Sequence, residues 1–188
     1  MHVGDPRLER VENRVIAAPA QSLAAAADLA LASGCEVRVL GDDLEGEARE
    51  VAAHQASMAL DLQRRIKPGD RPILLLSGGE FTVTRTGRGI GGPNAEFCLA
   101  LGLALNGAQG IHAIACDTDG VDGAAEVAGA AIAPDMLARA RAKGIDPHEE
   151  LRANNAHNFF GAIGGQIITG PTLTNVNDFR GILISSRA

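Results

Sequence analysis

Four consecutive apolar residues, Ile73-Leu74-Leu75-Leu76, constrain this chain more than any other feature. A strand that is apolar at every position has to be covered on both faces, as in a sheet sandwiched between helices. The run predicts a layered α/β fold, and the residues ahead of it agree. Glu36-Val37-Arg38-Val39-Leu40 alternates with period two and reads as a strand ending in a turn at Gly41-Asp42-Asp43. Before it, the Ala-rich stretch after Pro19 reads as a helix opened by Ser22 and closed by Gly34. After it, Gly46 to Ile66 carries Val51, Met58 and Leu62 at helical spacing and stops at Lys67-Pro68-Gly69-Asp70. With Arg14-Val15-Ile16-Ala17 as a first short strand, the order is strand, helix, strand, helix, which is that of a parallel sheet.

Past Leu76 the pattern predicts a break at Ser77-Gly78-Gly79-Glu80. Phe81 to Thr86 follows as a half-exposed, alternating strand, with antiparallel pairing open to it. A glycine cluster from Gly87 to Gly92 leads into a helix from Asn94 to about Asn106, and Ile111 to Cys116 is a further buried strand. Small residues from Ala124 to Lys143 read as helical, as does Pro147 to Leu151; Ile167 to Pro171 and Phe179 to Ile184 close the chain as strands. The expectation is α/β, a layered domain with a mixed, partly parallel sheet flanked by helices.

Composition narrows the function. A net charge of −6 leaves no broad basic face, which argues against nucleic acid and against an anionic membrane surface. A phosphate ligand would need local donors or a metal. Cys35, Cys98 and Cys116 have no CxxC spacing and sit in apolar contexts, as reduced core thiols do. With no signal pattern and no apolar run near 18 residues, a cytoplasmic location is expected. Met1 to Pro6 reads as the arbitrary start of a longer polypeptide.

Four polar, glycine-containing segments adjoin the apolar runs, where open α/β sheets gather ligands. Ser77, Gly78 and Gly79 end the strongest strand, and Glu80 beside them can orient a lysine or a metal-bound water; a tight turn with a solvated Glu is the structural alternative. Gly87, Gly89 and Gly92 satisfy GxGxxG, with Asp117 ending the next strand, which suggests a nicotinamide-dependent reductase. Against that, the preceding strand alternates, and Pro93 removes an N–H where phosphate would be held. A phosphate loop of another kind, drawing on Gly89, Gly91 and Gly92, and a purely structural loop both remain open. Asp117, Asp119 and Asp122 fall within Asp-Thr-Asp-Gly-Val-Asp-Gly. Three close carboxylates repel unless a cation or several donors hold them. An EF-hand is excluded by Val121 at position five and Ala128 at position twelve, leaving Mg²⁺ or its nucleotide complex, or turn and cap chemistry. Thr169 to Asp178 offers neutral donors to a sugar or carboxylate. His54, His112, His148 and His157 have no ligand spacing.

Taken in order, SGGEFTVT, GIGGPNAEF, DTDGVDG and TGPTLTNVND resemble the MOFRL domain, the C-terminal part of class II glycerate kinases, over roughly residues 70 to 185. On that likeness residues 70–188 are the MOFRL-like domain and 1–69 connect it to a missing N-terminal domain. The resemblance implies phosphorylation of D-glycerate at its 2-hydroxyl by ATP with Mg²⁺ in a cleft between two domains, inactive without the other domain. It leaves room for a homodimer. It carries the family pattern onto Ser77 to Glu80, onto Gly91, Gly92, Asn94 and Glu96, onto Asp117, Asp119, Gly120, Asp122 and Gly123, and onto Thr169 to Thr172, Thr174, Asn175, Asn177 and Asp178. The implied roles are catalytic for Asp117, Asp119 and Glu80, and metal-binding for Asp117, Asp119 and Asp122. Ser77, Gly78, Gly79, Gly89, Gly91, Gly92 and Asn94 would hold nucleotide; Thr172, Thr174, Asn175 and Asn177 would contact glycerate. Pro93-Asn94-Ala95-Glu96 departs from the Arg-Asn-Gln-Glu of many members, leaving Arg88 or the other domain to neutralise phosphate, and Asn154-Asn155-Ala156-His157 departs from the usual Asn-Asp-Ser. Members are also called hydroxypyruvate reductases, and an NAD(P)H-dependent reductase or a non-catalytic interaction domain are the competing readings.

Overall fold

A six-stranded sheet in the order β1-β2-β6-β3-β4-β5 organises the chain. The structure is a computed structural model and describes residues 11–12, 14–123 and 125–187. Its elements are α1 (Pro19–Ala32), β1 (Glu36–Glu47), α2 (Ala48–Gln63), β2 (Ile73–Thr82), α3 (Pro93–Leu105), β3 (Ile111–Asp117), β4 (Gly129–Ile132), α4 (Met136–Ala142), α5 (Pro147–Arg152), α6 (Ala156–Ile163), β5 (Gln166–Ile167) and β6 (Asp178–Ile184). β1 and β2 run parallel and every other neighbouring pair is antiparallel, the mixed sheet expected.

On one face, Ile73, Leu75, Ala113, Ala115, Ile182 and Ile184 join α2 and α3 in one buried cluster. α3 is apolar nearly all round, as a helix wedged between sheet and neighbours must be. With α2 already on that face, α1 takes the other, against β1, β2 and β6. Three residues, Ser33 to Cys35, separate α1 from β1, so the helix doubles back along the sheet and its first turn lies towards the end where β2 finishes. Gly34, at φ 86°, makes that reversal as the helix-ending glycine.

Several local expectations change. Pro19 itself opens α1; Ser22 lies inside and donates to Pro19 O (2.8 Å). Residues 14–17 form no strand, and Val15 and Ile16 are 84% and 89% exposed. No turn forms at Gly41 to Asp43: β1 continues to Glu47 through two register shifts. β2 does not break at Ser77 to Glu80 either, but runs on to Thr82 in parallel pairing with β1, so no separate strand spans Phe81 to Thr86. Gly79, at φ 98°, permits this, because a Cβ there would overlap the Leu44 backbone. Within 124–143, β4 replaces part of the predicted helix: Gly129 to Ile132 has helix-compatible small residues, but the open edge of β3 recruits them. Residue 124 lies outside the described residues. β5 is two residues long, and α6 had no counterpart in the sequence reading. No helix among the described residues is long and apolar enough to cross a membrane.

Candidate active site

β2 and β3 end at the same edge of the sheet, where β6 begins, and Asp117 faces Asp178 across the β3–β6 ladder. The loops beyond these ends are tied together. The Thr118 hydroxyl donates to Asn177 O (2.7 Å) and accepts from Val176 N (2.9 Å). Thr172 N donates to Asp119 O (3.1 Å), and the Thr172 hydroxyl reaches Thr118 O and Thr174 O. Asn175 Nδ2 donates to Asp119 Oδ2 (3.1 Å), while Val121 N donates to Asp119 Oδ1 (2.8 Å) and Asp119 N to Asp117 Oδ1 (3.0 Å). Asn175 Oδ1 accepts from Asn177 N (3.0 Å), helping to hold Asn177 at φ 60°. The acidic loop and the Thr/Asn loop are therefore one structure.

Beneath them lies a buried polar chain. Gly92 precedes α3 with no side chain to cap it, so Asp122 does so from across the fold: Asn94 N and Ala95 N donate to its two carboxylate oxygens (3.0 and 2.8 Å). His157 Nε2 lies 3.2 Å from the same carboxylate. Asn94 Nδ2 spans to Asp178 Oδ1 (2.7 Å), and Asp178 Oδ2 accepts from Arg180 (2.6 Å). The Arg180 guanidinium also donates to Gly78 O and Gly79 O (both 3.0 Å) and lies 3.4 Å above the Phe81 ring. It is 1% exposed.

Burial raises the Asp117 carboxyl to about 6, assisted by the charges of Asp119 and Asp178 and opposed by the Asp119 N–H. Burial also raises Asp178, although Asn94 and Arg180 pull the other way. For His157, burial disfavours the charged ring, but the Asp122 hydrogen bond and charge outweigh it and the pKa rises. Burial, with Asp178 next, raises the Cys116 thiol to about 11, and Cys98 is raised further by burial; both stay protonated, in keeping with core thiols.

The glycine cluster packs against protein. Side chains at Gly87, Gly89, Gly91 or Gly92 would meet Ala153, Asn155, Asn154 or Asp122. Asn154 accepts from Thr86 N (2.8 Å) and Gly87 N (2.7 Å) and donates to Glu96 (3.0 Å), which Arg49 holds at 2.5 Å. Of the residues singled out, Asp117, Asp119, Thr172, Thr174, Asn175 and Asn177 share the loop pair. Asp122, Asn94, Gly92, Ser77, Gly78 and Gly79 lie in or around the buried chain, and Gly89 and Gly91 sit on the loop leading to α3. Glu80 is exposed at the end of β2. Arg180 and Arg49 were not anticipated as members, and Asn154 was noted only in the departure from Asn-Asp-Ser; for Arg180 the available signal was an arginine inside the apolar run from Phe179 to Ile184.

The MOFRL family model matches residues 73–178. A protein of Agrobacterium vitis with the provisional name hydroxypyruvate reductase is 51% identical over 175 residues, covering 92% of this chain and 40% of its own length. The D-glycerate 2-kinase of Thermotoga maritima is 36% identical over 153 residues, covering 81% of this chain and 37% of its own. The crystal structure of a glycerate kinase from Thermotoga maritima superposes with a TM-score of 0.88 at 34% identity, covering 94% of this chain and 42% of that one. The chain thus spans about 40% of the length of the curated relatives it matches.

Proposed function

The chain belongs to the MOFRL family, and we propose that it forms one part of an ATP-dependent glycerate 2-kinase that phosphorylates D-glycerate. The observation that carries this reading is the interlock of the Asp117–Gly123 and Thr169–Asp178 loops at the edge where β2 and β3 end, beside the α3 N-terminus. Phosphoryl transfer asks a protein mainly to position two oxygens and to manage charge. Asp117, whose carboxyl burial raises to about 6, is suited to accept the proton of the glycerate 2-hydroxyl. Thr174, Asn177 and the second amide N–H of Asn175 offer neutral donors for a small hydroxy acid, Thr172 holds the loop that carries them, and Glu80 stands exposed to orient a partner group.

Among the described residues, no group of three His, Cys, Asp or Glu could hold a metal, and Asp122 is committed to the α3 N-terminus. Asp117 and Asp119 remain, and two carboxylates suit an ion carried largely by nucleotide phosphates and water. When bound, Mg²⁺ would offset the charge of the phosphates. Gly89 N is already committed to Ala153 O (2.8 Å), so the nucleotide side would draw on Gly91, with Asn94, Gly92 and Ser77 to Gly79 shaping the frame beneath. Because α1 begins at this same edge, polypeptide preceding it would enter beside the site. Residues 1–69 would then connect to a domain that completes the site, and 70–188 alone would be inactive.

The provisional name of the 51% identical relative keeps hydroxypyruvate reduction as the second reading. A coupled ADP-release assay with D-glycerate on the complete polypeptide, run beside hydroxypyruvate with NADH, separates the two. NADH oxidation without ADP release would reject the kinase. In the kinase, Asp119→Asn should lower kcat at least about tenfold; an unchanged rate rejects its role.

A further inference from the structure

α2 and α3 cover one face of the sheet, but α1 covers only part of the other. Beyond α1 that second face holds a groove of about 550 Å³, floored by Leu74, Ile114, Phe179 and Leu183 and rimmed by His112 and Arg139. Ile114 is 38% exposed, although β3 lies between β6 and β4 in the interior of the sheet. Gly181 pairs with both Leu76 and Ile114 at the middle of the floor. A Cβ there would meet only ordinary contacts, at 3.7–3.8 Å, so the backbone does not require glycine; its effect is to leave that point of the floor without a side chain.

We propose that this groove seats sequence of the kind the relatives carry beyond the matched region, through an aliphatic segment whose side chain packs over Gly181. The inference rests on the two-part reading above. The relatives devote about 60% of their length to sequence beyond this region, so a large body is available to cover the face. α1 lies on the grooved face, so a preceding body is tethered to that side of the sheet. Val15 and Ile16, exposed on the approach to α1, add apolar side chains that such a body would cover. The rim supplies a polar component: the partly exposed Arg139 guanidinium, held by Ile163 O (3.1 Å) and Asp135 (3.3 Å), stands beside the apolar floor.

The experiment compares the 188-residue chain with the longer polypeptide that contains it, using an Ile114→Cys variant and peptide-resolved thiol labelling. Labelling at position 114 should be at least about tenfold slower in the long form. A second variant, Gly181→Leu, should leave the thermal midpoint of the 188-residue chain unchanged or raised and lower that of the long form. Equal labelling rates in the two forms overturn the proposal, as does a Gly181→Leu effect of the same sign in both. Labelling of the 188-residue chain that slows as its concentration rises would assign the groove to a second copy instead. None of these readouts uses kinase activity, so failure of the kinase assay with slowed labelling rejects the reaction and leaves the docking surface standing.

Discussion

Replacing Arg180 by Leu tests whether the buried chain under the loops is a structural keystone. The guanidinium serves Asp178, Gly78 O and Gly79 O at 2.6–3.0 Å with 1% exposure. Deleting one member of a buried ion pair typically costs about 3–5 kcal/mol, because the other charge is stranded. Two strand carbonyls also lose their donor, at about 1 kcal/mol or more each. These contributions overlap, and the expected cost is about 4–6 kcal/mol, against the roughly 5–15 kcal/mol by which domains are stable. Urea unfolding followed by circular dichroism measures it. The double variant Arg180→Leu/Asp178→Leu, with both charges gone, should recover at least about 2 kcal/mol. The pH dependence supplies an independent sign. Burial already raises Asp178, and without Arg180 it rises further. A raised carboxyl contributes stability that is full below its unfolded pKa and lost as pH rises through the folded one. Arg180→Leu should therefore lie nearest the wild type at about pH 4 and furthest from it at about pH 8. A cost below about 1.5 kcal/mol, a flat pH profile, or a double variant no better than the single would refute the reasoning.

Asp117, raised to about 6 chiefly by burial, obeys the same sign rule: its contribution is present below the ordinary carboxylate range and lost as pH climbs through 6. Asp117→Asn should accordingly flatten the fall in thermal midpoint between pH 4 and 6, measured in EDTA, and an unaltered slope would show that other groups cause it. Gly79→Ala places a Cβ into the Leu44 backbone at φ 98° and should cost more than about 3 kcal/mol; a shift in thermal midpoint of only a degree or two would mean that β1 can move aside.

The strands legible in the sequence were those whose identity is local. Ile111 to Cys116 and Phe179 to Ile184 are apolar runs bounded by turn residues, and each forms within a residue of where its pattern ends. What escaped depends on partners distant in sequence. Ser77-Gly78-Gly79-Glu80 has turn composition, yet it stays in β2 because Arg180 holds its carbonyls from one side and β1 lies against Gly79 on the other. Gly129 to Ile132 has no strand pattern of its own and takes its form from β3. Residues 14–17 have a strand pattern but pair with none of the six strands, and Val15 and Ile16 stand exposed.

The acidic loop illustrates the same division within the site. Three carboxylates in six residues raise one question, what offsets their repulsion, and the sequence offers a cation or local donors as equal answers. The fold divides the answer by position. Asp122 is held by two amides at the start of α3 and lies beside His157 Nε2, Asp119 is held by Asn175 and the Val121 amide, and neither assignment is visible from spacing. Asp117 receives the Asp119 amide but faces Asp178 across the ladder, and it is the member whose carboxyl is pushed to about 6. The glycines nearby follow the same logic: those at 87, 89, 91 and 92 make room for residues 153–155 and Asp122. A GxGxxG match therefore arises here from packing, while the chemically uncommitted charge is concentrated on the first aspartate of the loop.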